Sequence, residues 1–256
     1  IPAPLPAPPI LEARGVSMRY PGTLALDSVD FPLYSGHIHA LIGENGAGKS
    51  TLVKILSGII RPSQGTLLLD GRPIALPSVR AASAHGIGII HQELNLCPNL
   101  TVAENIFLGR ELTRHAVLDS QRQNELARQI LLRLQQLIDP ATPVGRLPLG
   151  QQQIVEIAKA LAADVRVLMM DEPTSALSPA EIAILFRIMR DLAARGVSIV
   201  YISHRLEELL TIAGSVTVLR DGRVVAQAPS AAVDTRWIVE HMTGRPAGSA
   251  AVSPPA

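Results

Sequence analysis

The chain has 256 residues, 47% of them hydrophobic, and a formal net charge of +1. That is enough apolar material for a full-sized core in one or two domains, and too little charge for bulk attraction to nucleic acid or anionic lipid. The single cysteine, Cys97, excludes an internal disulfide and fits a reducing compartment, and no apolar stretch approaches the ~20 residues that cross a bilayer.

Ile1–Pro9 is rich in proline and alanine, lacks the basic start and apolar run of a secretion signal, and reads as a flexible leader. Leu11–Tyr20 and Val29–Tyr34 read as short strands around a Pro21-Gly22 turn. The run Ile38, Ala40, Leu41 and Ile42 reads as a buried strand. It leads into Gly43-Glu44-Asn45-Gly46-Ala47-Gly48-Lys49-Ser50-Thr51, and then into Leu52, Val53, Ile55, Leu56 and Ile59, spaced as one face of a helix. A strand, a glycine-rich turn and a helix start form the context a phosphate-binding loop needs. The glycines let the backbone curl with its N–H groups pointing inward, where they meet phosphate oxygens, and the helix N-terminus adds partial positive charge. Lys49 would reach the β- and γ-phosphates of a nucleoside triphosphate, and the Ser50 hydroxyl would ligate Mg²⁺.

Thr66–Asp70 and Pro73–Leu76 flank Asp70-Gly71, a hairpin signal, so the opening segment is partly antiparallel. Ile87–His91, Val165–Met170 and Val197–Ile202 are continuous apolar runs separated by helical stretches. That pattern indicates an α/β fold with a mostly parallel sheet covered on both faces.

A helical insertion subdomain is expected at about residues 93–163. Thr101 and Glu104 form a capping box for a short helix that Gly109 ends. Asp119 begins a longer helix with Leu126, Ile130, Leu134, Leu137 and Ile138 on one face, stopped by Pro140. Gln151–Ala163 is a third helix, with Ile154, Ile157, Ala158 and Leu161 inward. Ser178-Pro179-Ala180-Glu181 then caps a helix whose apolar face is Ile182, Leu185, Met189 and Leu192. His204–Ile212 reads as a short helix, Val216–Arg220 and Arg223–Gln227 as strands paired around Asp221-Gly222, and Trp237–Met242 as a last helical turn. From Gly244 the composition is that of a linker or disordered tail.

Four places outside the loop carry candidate chemistry. Val167-Leu168-Met169-Met170 ends in Asp171 and Glu172. Alone, two such acids read as solvated strand-end residues. Beside a phosphate loop, Asp171 can hold Mg²⁺ and Glu172 can orient the attacking water or take its proton. His204 and Gln92 each follow a buried strand, at the end where α/β proteins bind ligands. Either one alone is indistinguishable from a structural polar residue. Leu147-Pro148-Leu149-Gly150-Gln151-Gln152-Gln153 opens a helix, as an anion site or a plain cap.

In this order, over nearly all of Leu11–Gly244, these elements resemble the ATP-binding cassette (ABC) ATPases. The resemblance implies one ATPase domain over residues 10–243, with a RecA-like P-loop NTPase fold that includes an antiparallel β subdomain, and ATP and Mg²⁺ as cofactors. It matches Tyr20 to the aromatic that stacks on adenine, Gly43–Thr51 to Walker A, Gln92 to the Q-loop and Leu168–Asp171 to Walker B. Glu172 matches the catalytic glutamate, Ser175–Ser178 the D-loop and His204 the switch histidine. It thereby implies Lys49, Glu172 and His204 as catalytic, and Ser50, Gln92 and Asp171 as metal-holding. Leu147–Gln151 matches the signature, of which Leu149, Gly150 and Gln151 would meet the nucleotide held by a second, head-to-tail cassette.

A narrower likeness, to ribose-, galactose- and xylose-type import ATPases, rests on Gly88–Leu94, Leu100–Gly109, Gly150–Leu161 and Ser203–Glu208. Members of that subfamily carry two cassettes, and this chain resembles the N-terminal one. It implies transmembrane permease subunits and, indirectly, a periplasmic or extracellular solute-binding protein as partners, no nucleic acid, and a cytoplasmic place on the inner face of the membrane. The competing class is a soluble ATPase of the superfamily in translation or DNA repair, whose usual charged linker or coiled-coil insertion is not seen here. Three residues depart from the family pattern: Pro148 replaces the signature serine, Leu149 its first glycine, and Ser178 an acid at the end of the D-loop.

Overall fold

The computed structural model describes residues 8–114 and 117–244. Most of the expected leader, and the tail beyond Gly244, lie outside the described residues. The chain opens with β1 (Leu11–Tyr20), β2 (Thr23–Leu33), β3 (Ile38–Ile42) and α1 (Lys49–Leu56). β4 (Gln64–Leu69), β5 (Arg72–Ile74), α2 (Val79–Ala84) and β6 (Ile87–Ile90) follow. Next come α3 (Val102–Ile106), β7 (Thr113–Arg114), β8 (Val117–Leu118), α4 (Ser120–Arg133) and α5 (Leu149–Leu161). The chain then returns through β9 (Val167–Asp171), α6 (Pro179–Ala194), β10 (Ser198–Ile202), α7 (Leu206–Ile212), β11 (Ser215–Arg220), β12 (Arg223–Pro229) and α8 (Thr235–Thr243).

The central sheet runs in the order β12-β11-β3-β10-β9-β6, parallel except for β12 at its edge. Its strands are apolar at successive positions because both faces are covered. Ile199 and Tyr201 of β10 enter one core with Leu185, Met189 and Ile157. Val200 and Ile202 enter the other, with Leu52, Ile55 and Phe31. Burying each such side chain contributes about 1.5–3 kcal/mol. The second core is closed by an antiparallel sheet, β2-β1-β4-β5, that lays Leu11, Ala13 and Val16 inward. Both Asp-Gly hairpins form with positive φ at both turn residues: 50° and 74° at Asp70-Gly71, 51° and 74° at Asp221-Gly222. A type I′ turn requires this.

Several boundaries differ from the expectations. β2 begins at Thr23 rather than Val29 and pairs Thr23 with Tyr20; the polar Asp27-Ser28 interruption, where Ser28 takes φ 50°, hid the strand. α1 stops at Leu56 because Gly58 turns left-handed. The Gly58 and Ile59 N–H groups donate back to the Ile55 and Lys54 carbonyls, which leaves Ile59 38% exposed instead of on the buried face. α4 stops in the same way at Gln135, which takes φ 58° while Gln135 and Gln136 donate to Leu132 and Leu131. Leu137 therefore falls beyond the helix and is 93% exposed, not inward. α5 starts at Leu149 with Pro148 as its N-cap, and α7 starts at Leu206, so His204 belongs to the preceding turn rather than to the helix. α2, capped by Ser78, and the antiparallel pairing of β7 with β8 were not foreseen.

Candidate functional site

Parallel winding puts the C-terminal ends of β3, β6, β9 and β10 on one edge of the sheet, and each is followed by a loop. The loop after β3 curls through Gly46 (φ 85°) and Gly48 (φ 105°) into α1. At Gly48 a Cβ would come within 2.7 Å of the Ala25 carbonyl oxygen and of the Leu26 side chain, so only glycine fits. The loop is braced from outside. The Gly222 N–H donates to the Ala47 carbonyl at 3.2 Å, and the Asp27 N–H donates to the Gly222 carbonyl at 2.8 Å. No side chain caps α1, so its first-turn N–H groups face the cleft uncapped.

The cleft, about 580 Å³, is lined by Asn45, Gly46, Gly48, Lys49, Ser50 and Thr51 of this loop, by Gln92 after β6, and by Asp171 and Glu172 after β9. Gly43 and Glu44 contribute through their carbonyls, which accept from the Lys49 ammonium at 2.6 and 2.9 Å, and Ala47 is buried beneath the loop. Burial lowers the Lys49 ammonium from its ordinary range, while the charges of Glu172 and Asp171 pull it back up. Burial raises the Asp171 carboxyl, the adjacent Glu172 charge adds to this, and His91, Lys49 and Lys54 oppose it. Glu172 adopts φ 48°, and its N–H donates to the Ile202 carbonyl at 3.0 Å. Its Oε1 lies 3.3 Å from Nδ1 of His204, whose side chain is 65% exposed.

Among the described residues no group of three or more His, Cys, Asp or Glu side chains could cage a metal ion by itself. The donors at the cleft are instead a hydroxyl, a carboxylate and an amide, the hard, incomplete set that suits Mg²⁺ completed by phosphate oxygens and water. Tyr20 is not in the cleft. It lines a neighbouring depression with Ser17, Asp27 and Leu24, and Leu24 also borders the cleft. Leu149, Gly150 and Gln151 open α5 away from the cleft, where Gly150, Gln151 and Pro148 line a small cavity with Glu181. Glu181 Oε1 accepts the Gly150 N–H at 3.1 Å. Thr23, Ala25, Ile202, Asp221 and Gly222 also line the cleft and were not singled out by the sequence. Asp221-Gly222 had signalled a turn, and nothing in the others signals a site.

A curled glycine loop between a buried strand and a helix, faced by a strand-end Asp-Glu pair, defines a phosphate-loop nucleotide-binding domain. The chain belongs to the ABC transporter family, whose model matches residues 26–175. It is 52% identical, over 96% of its length, to an ATP-binding protein of Burkholderia cenocepacia named for ribose/galactose/methyl galactoside import. It is also 52% identical, over 93% of its length, to a ribose import ATP-binding protein of Rubrobacter xylanophilus. The matches cover 49% and 47% of those proteins, so the chain spans about half the length of the curated relatives it matches. Its fold superposes on an ATP-binding cassette of an ABC transporter, solved in an ADP conformation, with a TM-score of 0.82 and 25% identity. That match covers 92% of this chain and 99% of the other. Among the described residues no helix is long and apolar enough to cross a membrane.

Proposed function

We propose that this chain binds ATP with Mg²⁺ and hydrolyses it to energise a membrane importer, with a sugar as the imported solute. The observation that carries this reading is the convergence of four strand-end loops, which brings Lys49, Ser50, Gln92, Asp171 and Glu172 to one cleft with His204 3.3 Å from Glu172. Lys49 and the N–H groups of Gly43–Thr51 hold the phosphates. Ser50, Asp171 and Gln92 hold Mg²⁺, which when bound neutralises charge on the phosphate oxygens. Glu172 orients the attacking water and takes its proton, and His204 hydrogen-bonds the γ-phosphate and that water. Tyr20, at the rim, stacks on adenine.

Leu149, Gly150 and Gln151 lie apart from this cleft and meet the nucleotide of a second cassette, either in the remainder of a longer chain or in another copy. The helical segment between β6 and β9, hinged at Gln92, docks on permease subunits at the cytoplasmic face of the membrane, and a solute-binding protein acts upstream of them. The import names of the relatives favour this over translation or DNA repair.

The test is Glu172→Gln. It keeps magnesium-dependent ATP affinity within a few-fold and lowers turnover by about 10²–10⁴. Wild-type turnover in that variant refutes the base assignment, and a wild-type protein with no magnesium-dependent ATP affinity refutes the whole reading.

A further inference from the structure

The contact between Glu172 and His204 joins two separate turns, and neither holds the other by packing. His204 is largely exposed, so its place is set by its backbone. Glu172 sits at φ 48°, a conformation that persists only where surrounding structure imposes it. Behind the pair lies Glu208 of α7, whose side chain is 13% exposed. Its Oε2 accepts from the Thr174 hydroxyl at 2.7 Å and from the Tyr201 hydroxyl at 3.0 Å. Its Oε1 accepts from the Arg205 guanidinium at 2.9 Å. Thr174 lies two residues past Glu172 and Arg205 directly follows His204, while Tyr201 is fully buried on β10 between them. The Thr174 and Tyr201 hydroxyls also lie 3.3 Å apart, which closes the triangle.

We propose that Glu208 is a positioning residue. Its carboxylate ties the turn bearing Glu172 to the turn bearing His204, and so sets the separation of the pair that acts on the attacking water. Its three partners come from both turns and from the strand that separates them. A carboxylate accepting from two buried hydroxyls and a guanidinium makes charge-assisted bonds with narrow geometric tolerance. Burial holds the Tyr201 hydroxyl above its ordinary ionisation range, so it stays a donor. This inference rests on the hydrolytic reading above.

The experiment measures single-turnover hydrolysis of radiolabelled Mg-ATP by the complete polypeptide in its native assembly, with nucleotide affinity in parallel. Glu208→Ala lowers the hydrolysis rate by about tenfold or more while ATP affinity stays within twofold, because only the Glu172–His204 geometry is disturbed. Glu208→Gln, which keeps an acceptor for both hydroxyls but turns an amide NH2 toward the Arg205 guanidinium, recovers only part of the rate. In a His204→Ala background, Glu208→Ala causes no further loss, since the contact it serves is already gone. A general loosening of the fold would instead lower the rate again and weaken nucleotide binding. Should Glu208→Ala not fold, the isosteric Thr174→Val removes one strut and takes its place, with a loss of about threefold or more that likewise vanishes in the His204→Ala background. A wild-type rate in Glu208→Ala, or an undiminished effect in the His204→Ala background, overturns the proposal and leaves the hydrolytic reading intact. Absence of turnover in the wild-type assembly overturns both.

Discussion

Glu156 on α5 is 7% exposed, and its Oε1 has no hydrogen-bond partner among the described residues. Burial raises its carboxyl above the ordinary range, with Lys159 opposing. A folded-state pKa above the unfolded one means that the folded chain binds more protons, so stability falls as pH rises through that range. Glu156→Gln is therefore expected to raise the melting temperature at pH 7, with the gain vanishing below about pH 4, where both states are protonated. Circular dichroism melts of the two proteins across pH check both the sign and the convergence. Asp171 carries the same sign because it is half-buried and stands next to the charge of Glu172, a destabilising arrangement of the kind that recurs at functional sites. At this scale Lys49, Ser50, Asp171 and Glu172 were legible, because each sits at a fixed spacing from a glycine loop or an apolar run. Ala25 and Gly222 were not, because the antiparallel sheet and a distant hairpin bring them to the loop.

Helix ends depended on single residues with no distinctive letter. The sequence placed Leu137 on a buried face because Pro140 was the first visible stop. The observed stop is Gln135, a left-handed residue that is not glycine, held by two backbone bonds to the last turn. The consequence is measurable. Leu137→Ser should change unfolding free energy by no more than about 0.5 kcal/mol. Leu131→Ala, inside the helix and 1% exposed, should cost about 2–5 kcal/mol. Denaturant titrations of both variants decide between the sequence-based helix and the observed one. The capping boxes at Thr101/Glu104 and Ser178/Glu181 were legible because they satisfy backbone donors locally, and both form in full.

Over the whole molecule, α5 and α6 meet where the signature stands. Pro148 offers no N–H, and the Gly150 N–H is already accepted by Glu181, itself the capping glutamate of α6. If this surface meets a second cassette's nucleotide as proposed, it offers fewer backbone donors than a serine-glycine start would, and the site it completes should hydrolyse more weakly than the one at Lys49. Pro148→Ser should raise turnover at the partner's site by roughly 2–10-fold, the worth of one ordinary hydrogen bond. The measurement uses the paired assembly with Glu172→Gln silencing this chain's own cleft. An unchanged rate would count against the idea. The parallel order β3-β10-β9-β6 had no counterpart in any local pattern, yet it is what puts four loops on one edge.

By itself, the sequence determined the phosphate loop, the buried strands, most of the caps and the turn chemistry, because each depends on residues within a few positions of one another. Only the tertiary structure decided that Glu172 meets His204, that Glu208 bridges their turns, that Gly222 braces the loop and that Ala25 packs against Gly48. Apart from the local Arg205–Glu208 pair, those contacts join segments separated by roughly twenty residues or more, and strand order and crossover, not local preference, set which of them become neighbours.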